Sequence, residues 1–266
     1  MRGLIVGWLE LDGAVNARDL GGLPTSDGQS VRPRRLIRSD NLQGLSERDV
    51  RVLVDEVGVR SVADLRTDVE VINEGPGPLT HDRAVDIVHL SLFPEAGHNT
   101  DVAAADDGPV VLPWQNREPS DDSRRKGTSG VYLGYLDQRA DSVIAALRLI
   151  ASSSGATIVH CAAGKDRTGT VVALALAEVG VTRDAIVADY ARSSERIEEI
   201  FERLRATRTY ADDLDNADPD KHAPKAVTMQ RLLDELDAEF GGASGWLRKH
   251  GWTDDDAAAL REKLLG

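Results

Sequence analysis

The chain of 266 residues is short of several things, and each shortage narrows what it does. Its single cysteine, Cys161, excludes an internal disulfide and a multi-thiolate metal cage, and nothing in it demands an oxidising compartment. Aromatic residues make up only 4%, which leaves Ala, Val, Leu and Ile to build the core. No apolar run approaches the roughly 18 uninterrupted residues of a membrane-spanning helix. Met1 to Gly13, whose apolar stretch is broken by Glu10 and Asp12, reads as a strand rather than a signal peptide. A cytoplasmic protein without an integral membrane segment is expected. Basic residues are outnumbered, with 32 Lys and Arg against 45 Asp and Glu and a formal charge of -13. That balance excludes a broad surface tracking the phosphates of a nucleic acid, while leaving room for a local basic pocket. The histidines other than His160 are scattered without ligand spacing, so no metal and no other cofactor is expected.

What is present, 41% hydrophobic and 29% charged residues, describes an ordinary globular protein and predicts a single domain over 1–266. Leu11 to Leu20 and Val31 to Arg38, separated by Gly21, Gly22, Pro24 and the Ser26-Asp27-Gly28 turn, read as a hairpin. Ser46 and Glu47 open a helix with Val50, Leu53, Val54 and Val57 at helical spacing, which Gly58 closes. Short strands are predicted at Ser61 to Leu65 and Ala84 to Leu92. From about residue 94 to 130, Gly, Pro, Asp and Ser recur without periodicity, and so long a connection predicts a mobile functional loop. Helix resumes near Tyr132 and runs through Ile150, Gly155 ends it, and Ala156 to His160 is a short apolar strand. After an apolar helix around Val171 to Val179, the pattern predicts helices at Thr182–Ser194, Glu195–Thr207, Pro224–Phe240 and Asp254–Leu265, divided by the acidic break Asp212 to Asp220. Helix, strand, glycine-bearing turn and helix in that order make an α/β unit that carries a loop onto a helix N-terminus.

That loop reads His160, Cys161, Ala162, Ala163, Gly164, Lys165, Asp166, Arg167, Thr168, Gly169. A thiol between a strand and a helix N-terminus meets the positive end of the helix dipole and unpaired backbone N–H groups, both of which stabilise a thiolate. The five residues Ala162 to Asp166 can curl into a cup with Gly164 easing the backbone, so that Ala162, Ala163, Gly164 and Lys165 offer amides to a tetrahedral oxyanion. Arg167 then holds two phosphoryl oxygens for in-line attack, and Thr168 is placed to donate its hydroxyl to the departing thiolate. The bland alternative for Cys161 is a buried structural thiol. A nucleotide P-loop is excluded, because Gly164-Lys165 lacks the earlier Gly and is followed by Asp166.

The string HCAAGKDRTG resembles the signature loop of the protein tyrosine phosphatase superfamily. Asn16-Ala17-Arg18-Asp19-Leu20-Gly21-Gly22, Arg38-Ser39-Asp40-Asn41-Leu42, Asp64-Leu65-Arg66 with Glu70, and Asp189-Tyr190 make the chain similar to the bacterial PtpB-type tyrosine phosphatases over nearly its whole length. The resemblance implies an α/β fold, with a mainly parallel central sheet flanked by helices and a C-terminal helical lid, for which the helices over about 195–240 are the candidates. It also implies hydrolysis of phosphotyrosine, and of phosphoserine, phosphothreonine and phosphoinositide monoesters, through a cysteinyl-phosphate on Cys161.

The leaving group needs a proton. The Trp-Pro-Asp loop of many relatives is missing here, and Pro113-Trp114-Gln115 lacks the acid. The PtpB-type resemblance assigns the role to Asp166, which alternatively only orients the loop; Asp101, Asp106 and Asp107 are fallback acids. Lys165 either adds a cation beside the phosphate, as in loops of phosphoinositide phosphatases, or pairs with Asp19 or Asp40. His160 is expected to orient the loop by ring hydrogen bonds. Arg18, Asp19, Arg38, Asp64 and Arg66 either line the cleft or form buried scaffolding. The partners implied are a phosphorylated protein or phosphoinositide, with no nucleic acid. A phosphate-binding module without turnover, and another thiolate enzyme such as a sulfurtransferase or arsenate reductase, are the competing readings; a lone cysteine weakens the last.

Overall fold

Short runs of β-branched and aliphatic residues, each bounded by Gly or polar turns, form the middle layer. The computed structural model describes residues 7–94 and 127–266. Its six strands are β1 (Gly7–Trp8), β2 (Arg18–Asp19), β3 (Leu36–Ser39), β4 (Val59–Asp64), β5 (Asp86–His89) and β6 (Ala156–His160), in the spatial order β1-β2-β3-β6-β4-β5. β3, β6, β4 and β5 run parallel, and β1 and β2 add an antiparallel edge. Alternate side chains leave the sheet on opposite faces. Leu36, Ala63 and Val159 enter one apolar cluster, while Ile37, Val62 and Ile158 enter another. Both faces are covered, as a parallel sheet requires.

The larger cluster is closed by α3 (Gly127–Gln138), α4 (Ala140–Ser152), α5 (Asp166–Glu178), α6 (Arg183–Ala191), α10 (Ala226–Phe240), α11 (Ala243–Lys249) and α12 (Asp254–Leu264). α5 is buried from Arg167 to Leu176, which explains its nearly unbroken apolar sequence. The other face is covered by the N-terminal segment around Leu9 to Ala17, α1 (Glu47–Arg51) and the wider turn Val52–Val57. Ser46 caps α1 in a reciprocal box with Asp49, and Gly58 ends the element in the left-handed region at φ 82. Ser39, His160 and Asp64 stand side by side in register at the carboxyl ends of β3, β6 and β4. Ligand crevices of open α/β sheets lie at that edge.

Several elements differ from their expected form. The helix expected over 132–150 begins at Gly127 and breaks at Arg139, whose backbone leaves the helical region at φ -135 and ψ 45 while its guanidinium bonds Asp141 and the Phe93 carbonyl. In the N-terminal hairpin only Arg18 with Arg38 and Asp19 with Ile37 pair as strands; beyond them the Asp19 carboxylate takes the Gly21 and Arg34 amides, and the arms stay joined by Leu20 N to Leu36 O and Gly22 N to Val31 O. α2 (Asp68–Glu74) and α11 were not expected, and the acidic break contains the single turns α8 (Ala211–Leu214) and α9 (Pro219–His222). The expected mobile loop lies, from 95 to 126, outside the described residues, and with it Asp101, Asp106, Asp107 and Pro113-Trp114-Gln115. No helix among the described residues is long and apolar enough to cross a membrane.

Candidate active site

β6 is buried from end to end and carries Cys161, 2% exposed, to the floor of a cavity of about 440 Å³. The loop that follows is tied from outside by its carbonyls. The Asn41 amide donates to Ala162 O at 3.0 Å, Asn16 Nδ2 to Ala163 O at 2.9 Å and Arg38 Nη2 to Gly164 O at 2.8 Å. In a trans peptide the N–H points opposite to the C=O. Outward carbonyls at 162, 163 and 164 therefore turn the amides of Ala163, Gly164 and Lys165 the other way, into a concave nest for an anion. Gly164 is required here: its φ is 65, and a Cβ would stand 2.4 Å from Ser39 O and 2.5 Å from Asp40 N. Arg167 and Thr168 then fall in the first turn of α5, where dipole and free amides favour negative charge.

Arg167 is held by a residue from a different helix. Glu70 is the third residue of α2, and its capping box with Thr67, in which Thr67 N donates to Oε2 at 2.7 Å, fixes its carboxylate. Arg167 Nη1 and Nη2 donate to Glu70 Oε2 and Oε1 at 2.6 and 2.8 Å, a bidentate pair. Tyr210 completes it, donating to Glu70 Oε1 at 2.5 Å and accepting from Arg167 Nη2 at 3.2 Å. Burial opposes both charges, but the pair outweighs it: Glu70 is lowered below the usual carboxylate range and Arg167 is raised well above its ordinary value.

Beneath the loop lies a polar scaffold. Asp189 on α6 accepts from Arg18 Nε at 2.8 Å and Arg38 Nη1 at 2.7 Å, and is lowered because these two cations overcome its burial. Burial and the neighbouring Arg38 bring Arg18 down to about 10. His160 Nδ1 sits 3.3 Å from Cys161 O and Nε2 sits 3.4 Å from Asp64. Burial outweighs that carboxylate and lowers His160 to about 4. Asp64 is well below the carboxylate range: its burial is overcome by His160 and by Arg66, which donates to it from Nε at 2.9 Å. Arg18, Asp19, Arg38, Asp64 and Arg66 are all buried, and none lines the cavity.

Lys165 reaches neither Asp19 nor Asp40. Asp19 is spent on its own turn, and Asp40 accepts from Arg203, Val15 and Asn16. Burial raises Asp40 despite those donors. Lys165 Nζ instead donates to His222 O at 2.6 Å and stands 3.4 Å from Asp166 Oδ2. Asp166 also accepts a hydrogen bond from Tyr132 on α3. Thr168 Oγ1 is buried with no hydrogen-bond partner among the described residues. Opposite the loop, Phe201 and Leu204 of α7 (Ile197–Arg205), Tyr210, Leu214 and His222 form the cavity's other wall. Within the stretch 195–240 expected as a lid, α7 lines the cavity whereas α10 sends Met229, Leu232, Leu233 and Leu236 into the main core. Tyr210 and Tyr132 were given no functional role from sequence, and Asn16 appeared there only as part of a resemblance motif. Glu70, quoted from sequence only within a resemblance motif, also carried a local signal as a fixed carboxylate in the capping box Thr67-x-x-Glu70.

A family model described as "Tyrosine phosphatase family" matches residues 9–266. The chain is 30% identical over 286 aligned positions to "Triple specificity protein phosphatase PtpB" of Mycobacterium tuberculosis, covering 97% of this chain and 99% of that protein. It is 26% identical to "Tyrosine-protein phosphatase" of Nostoc commune over 91% of this chain and 78% of that one. Among solved structures, P. aeruginosa TpbA is a distant likeness at 13% identity and TM-score 0.37, with 87% of this chain and 99% of that one covered. The chain belongs to the tyrosine phosphatase family.

Proposed function

We propose that this protein hydrolyses phosphotyrosine monoesters, and alongside them phosphoserine, phosphothreonine and phosphoinositide monoesters, through a cysteinyl-phosphate on Cys161. The observation that carries the reading is the pairing of Cys161 with an outward-tied loop and a Glu70-held Arg167 in one cavity. The phosphoryl group sits in the nest of loop amides, with Arg167 on two of its oxygens; Tyr210 gives up its place on Nη2 to one of them. The Cys161 thiolate attacks phosphorus in line, the P–O bond to the substrate breaks, and Asp166 delivers a proton to the leaving oxygen. Water then attacks the cysteinyl-phosphate, giving its proton to Asp166, and the S–P bond breaks. The unpartnered Thr168 hydroxyl supports this second step, as a donor that finds its acceptor when charge returns to sulfur.

The breadth of substrate is argued from the PtpB relative's name, "triple specificity", and from the cavity. Apolar Phe93, Phe201 and Leu204 accommodate a phenyl ring, and Lys165 offers a cation near the phosphate. The chain works as one phosphatase unit in the cytoplasm, with 197–222 as its lid. The deciding measurement is phosphate release from phosphotyrosyl, phosphoseryl and phosphoinositide substrates with chelator present. Cys161→Ser abolishes turnover while inorganic phosphate still binds. Residual turnover in that variant, or dependence on a divalent metal, overturns the reading.

A further inference from the structure

Behind the loop two buried tyrosines converge on Asp166. Tyr132 of α3 has no solvent exposure and Tyr190 of α6 only 2%. The Tyr132 hydroxyl donates to Asp166 Oδ1, and the two phenol oxygens are 2.6 Å apart. With the Tyr132 proton committed to the carboxylate, Tyr190 is the donor to Tyr132, so the chain of hydroxyls ends on Asp166. The rings brace one another edge to face, centroids 6.2 Å apart. Gly169, last residue of the loop string, admits this arrangement: a Cβ there would lie 2.9 Å from Tyr190 Cδ2. Burying two phenol hydroxyls where phenylalanines would pack is unfavourable unless both are bonded, and here Tyr190 bonds Tyr132 and Tyr132 bonds the loop carboxylate.

Asp166 also stands in the wall between two cavities. One is the 440 Å³ cavity floored by Cys161. The other, about 300 Å³, lies on the far side of Lys165 and Asp166 and is lined by Tyr132, Tyr190, Lys225 and Thr228. The charged and titratable groups facing Asp166 are Lys165 at 3.4 Å, the two tyrosines, and Lys221, His222 and Lys225 across the second cavity; Arg38 grips the Gly164 and Lys165 carbonyls from β3.

We propose that Tyr132 and Tyr190 are positioning residues for proton transfer: Tyr132, itself held by Tyr190, bonds Asp166 Oδ1 and fixes the carboxyl so that its proton rides on Oδ2, toward the leaving group. This rests on Asp166 being the general acid. The second cavity lets solvent reach the carboxyl while substrate fills the first.

The test is kcat/KM for a series of aryl phosphates, from dinitrophenyl, whose departure needs no proton, to phenyl, whose departure does. Asp166→Asn loses about 100-fold on phenyl phosphate. Tyr132→Phe loses about tenfold on the same substrate, Tyr190→Phe loses less, and these two variants stay within about twofold of wild type on the dinitrophenyl ester. The basic limb of the phenyl phosphate pH profile shifts in Tyr132→Phe. A uniform loss across the series in both tyrosine variants, or no loss in either, overturns the positioning role even when Asp166→Asn behaves as an acid variant. A flat series for Asp166→Asn itself overturns the assignment of the acid instead. Tyr190→Phe keeps the proposal testable should Tyr132→Phe fail to fold.

Discussion

Glu70→Gln tests the reasoning most directly, because it keeps the shape of the side chain that holds Arg167 and removes its charge. Four donors converge on this carboxylate: Arg167 Nη1 and Nη2, the Tyr210 hydroxyl and the Thr67 amide. Gln keeps one acceptor oxygen and turns an NH₂ toward a guanidinium donor. Removing one partner of a buried ion pair costs ~3–5 kcal/mol, and the oxygen that Gln retains recovers part of it, leaving a loss of ~2–3 kcal/mol in unfolding free energy. If the same amount appears in the transition state through a misdirected Arg167, kcat/KM falls by roughly 30- to 150-fold. Urea unfolding and phosphotyrosyl peptide turnover read the two effects, and vanadate inhibition reports the anion cradle alone. The pH dependence has a definite sign. Glu70 is lowered from 4.5 in the folded state, so its contribution is full above the unfolded value and is lost as pH falls through the folded one. Glu70→Gln removes that part of the acid limb. A variant with wild-type urea midpoint and wild-type turnover would refute the claim that this pair orients Arg167.

Three further outcomes are expected. Gly164→Ala, forced to φ 65 with its Cβ against Ser39 O and Asp40 N, destabilises by more than ~2 kcal/mol and loses phosphate binding, measured by thermal unfolding with and without phosphate. His160 is lowered from 6.5 to about 4 by burial; the unfolded chain therefore binds its proton first, and stability falls as pH drops from 6.5 toward 5 by up to ~1.4 kcal/mol per pH unit. His160→Asn should flatten that window, and an unchanged slope would show that other groups set it. Tyr210→Phe removes the hydroxyl that a phosphoryl oxygen must displace from Arg167, so KM for a phosphotyrosyl peptide falls about threefold, in line with a net hydrogen bond of ~0.5–1 kcal/mol. A rise in KM would instead make Tyr210 a substrate contact.

The loop from His160 to Gly169 was readable because all its parts are consecutive: strand, thiol, glycine, arginine and helix start lie within one local element, where backbone geometry follows from residue type. The pattern of short apolar runs and helical periodicity made one α/β unit readable, while the mainly parallel sheet as a whole was an expectation carried by the family resemblance. The helices over 195–240 were legible as helices, but not which of them face the cavity, because periodicity marks which face of α10 is apolar and not which neighbour it covers. Lys165 shows the limit most clearly. Its charge suggested Asp19 or Asp40 as partner, yet both carboxylates are spent on backbone amides and Arg203, and its ammonium reaches the His222 carbonyl 57 positions away.

The amino-acid order alone pointed to Cys161 as the proposed nucleophile and Arg167 as its phosphate holder, through the whole string His160 to Gly169 between a strand and a helix rather than through the spacing of the two residues. Only the tertiary structure decided what holds them: Glu70 and Tyr210 on Arg167, Asn16, Asn41 and Arg38 on the loop carbonyls, and the Tyr132–Tyr190 pair on Asp166. Those partners come from separate elements, so their identity depends on which strand edges and helix ends the packing of the sheet brings together, which no local pattern encodes.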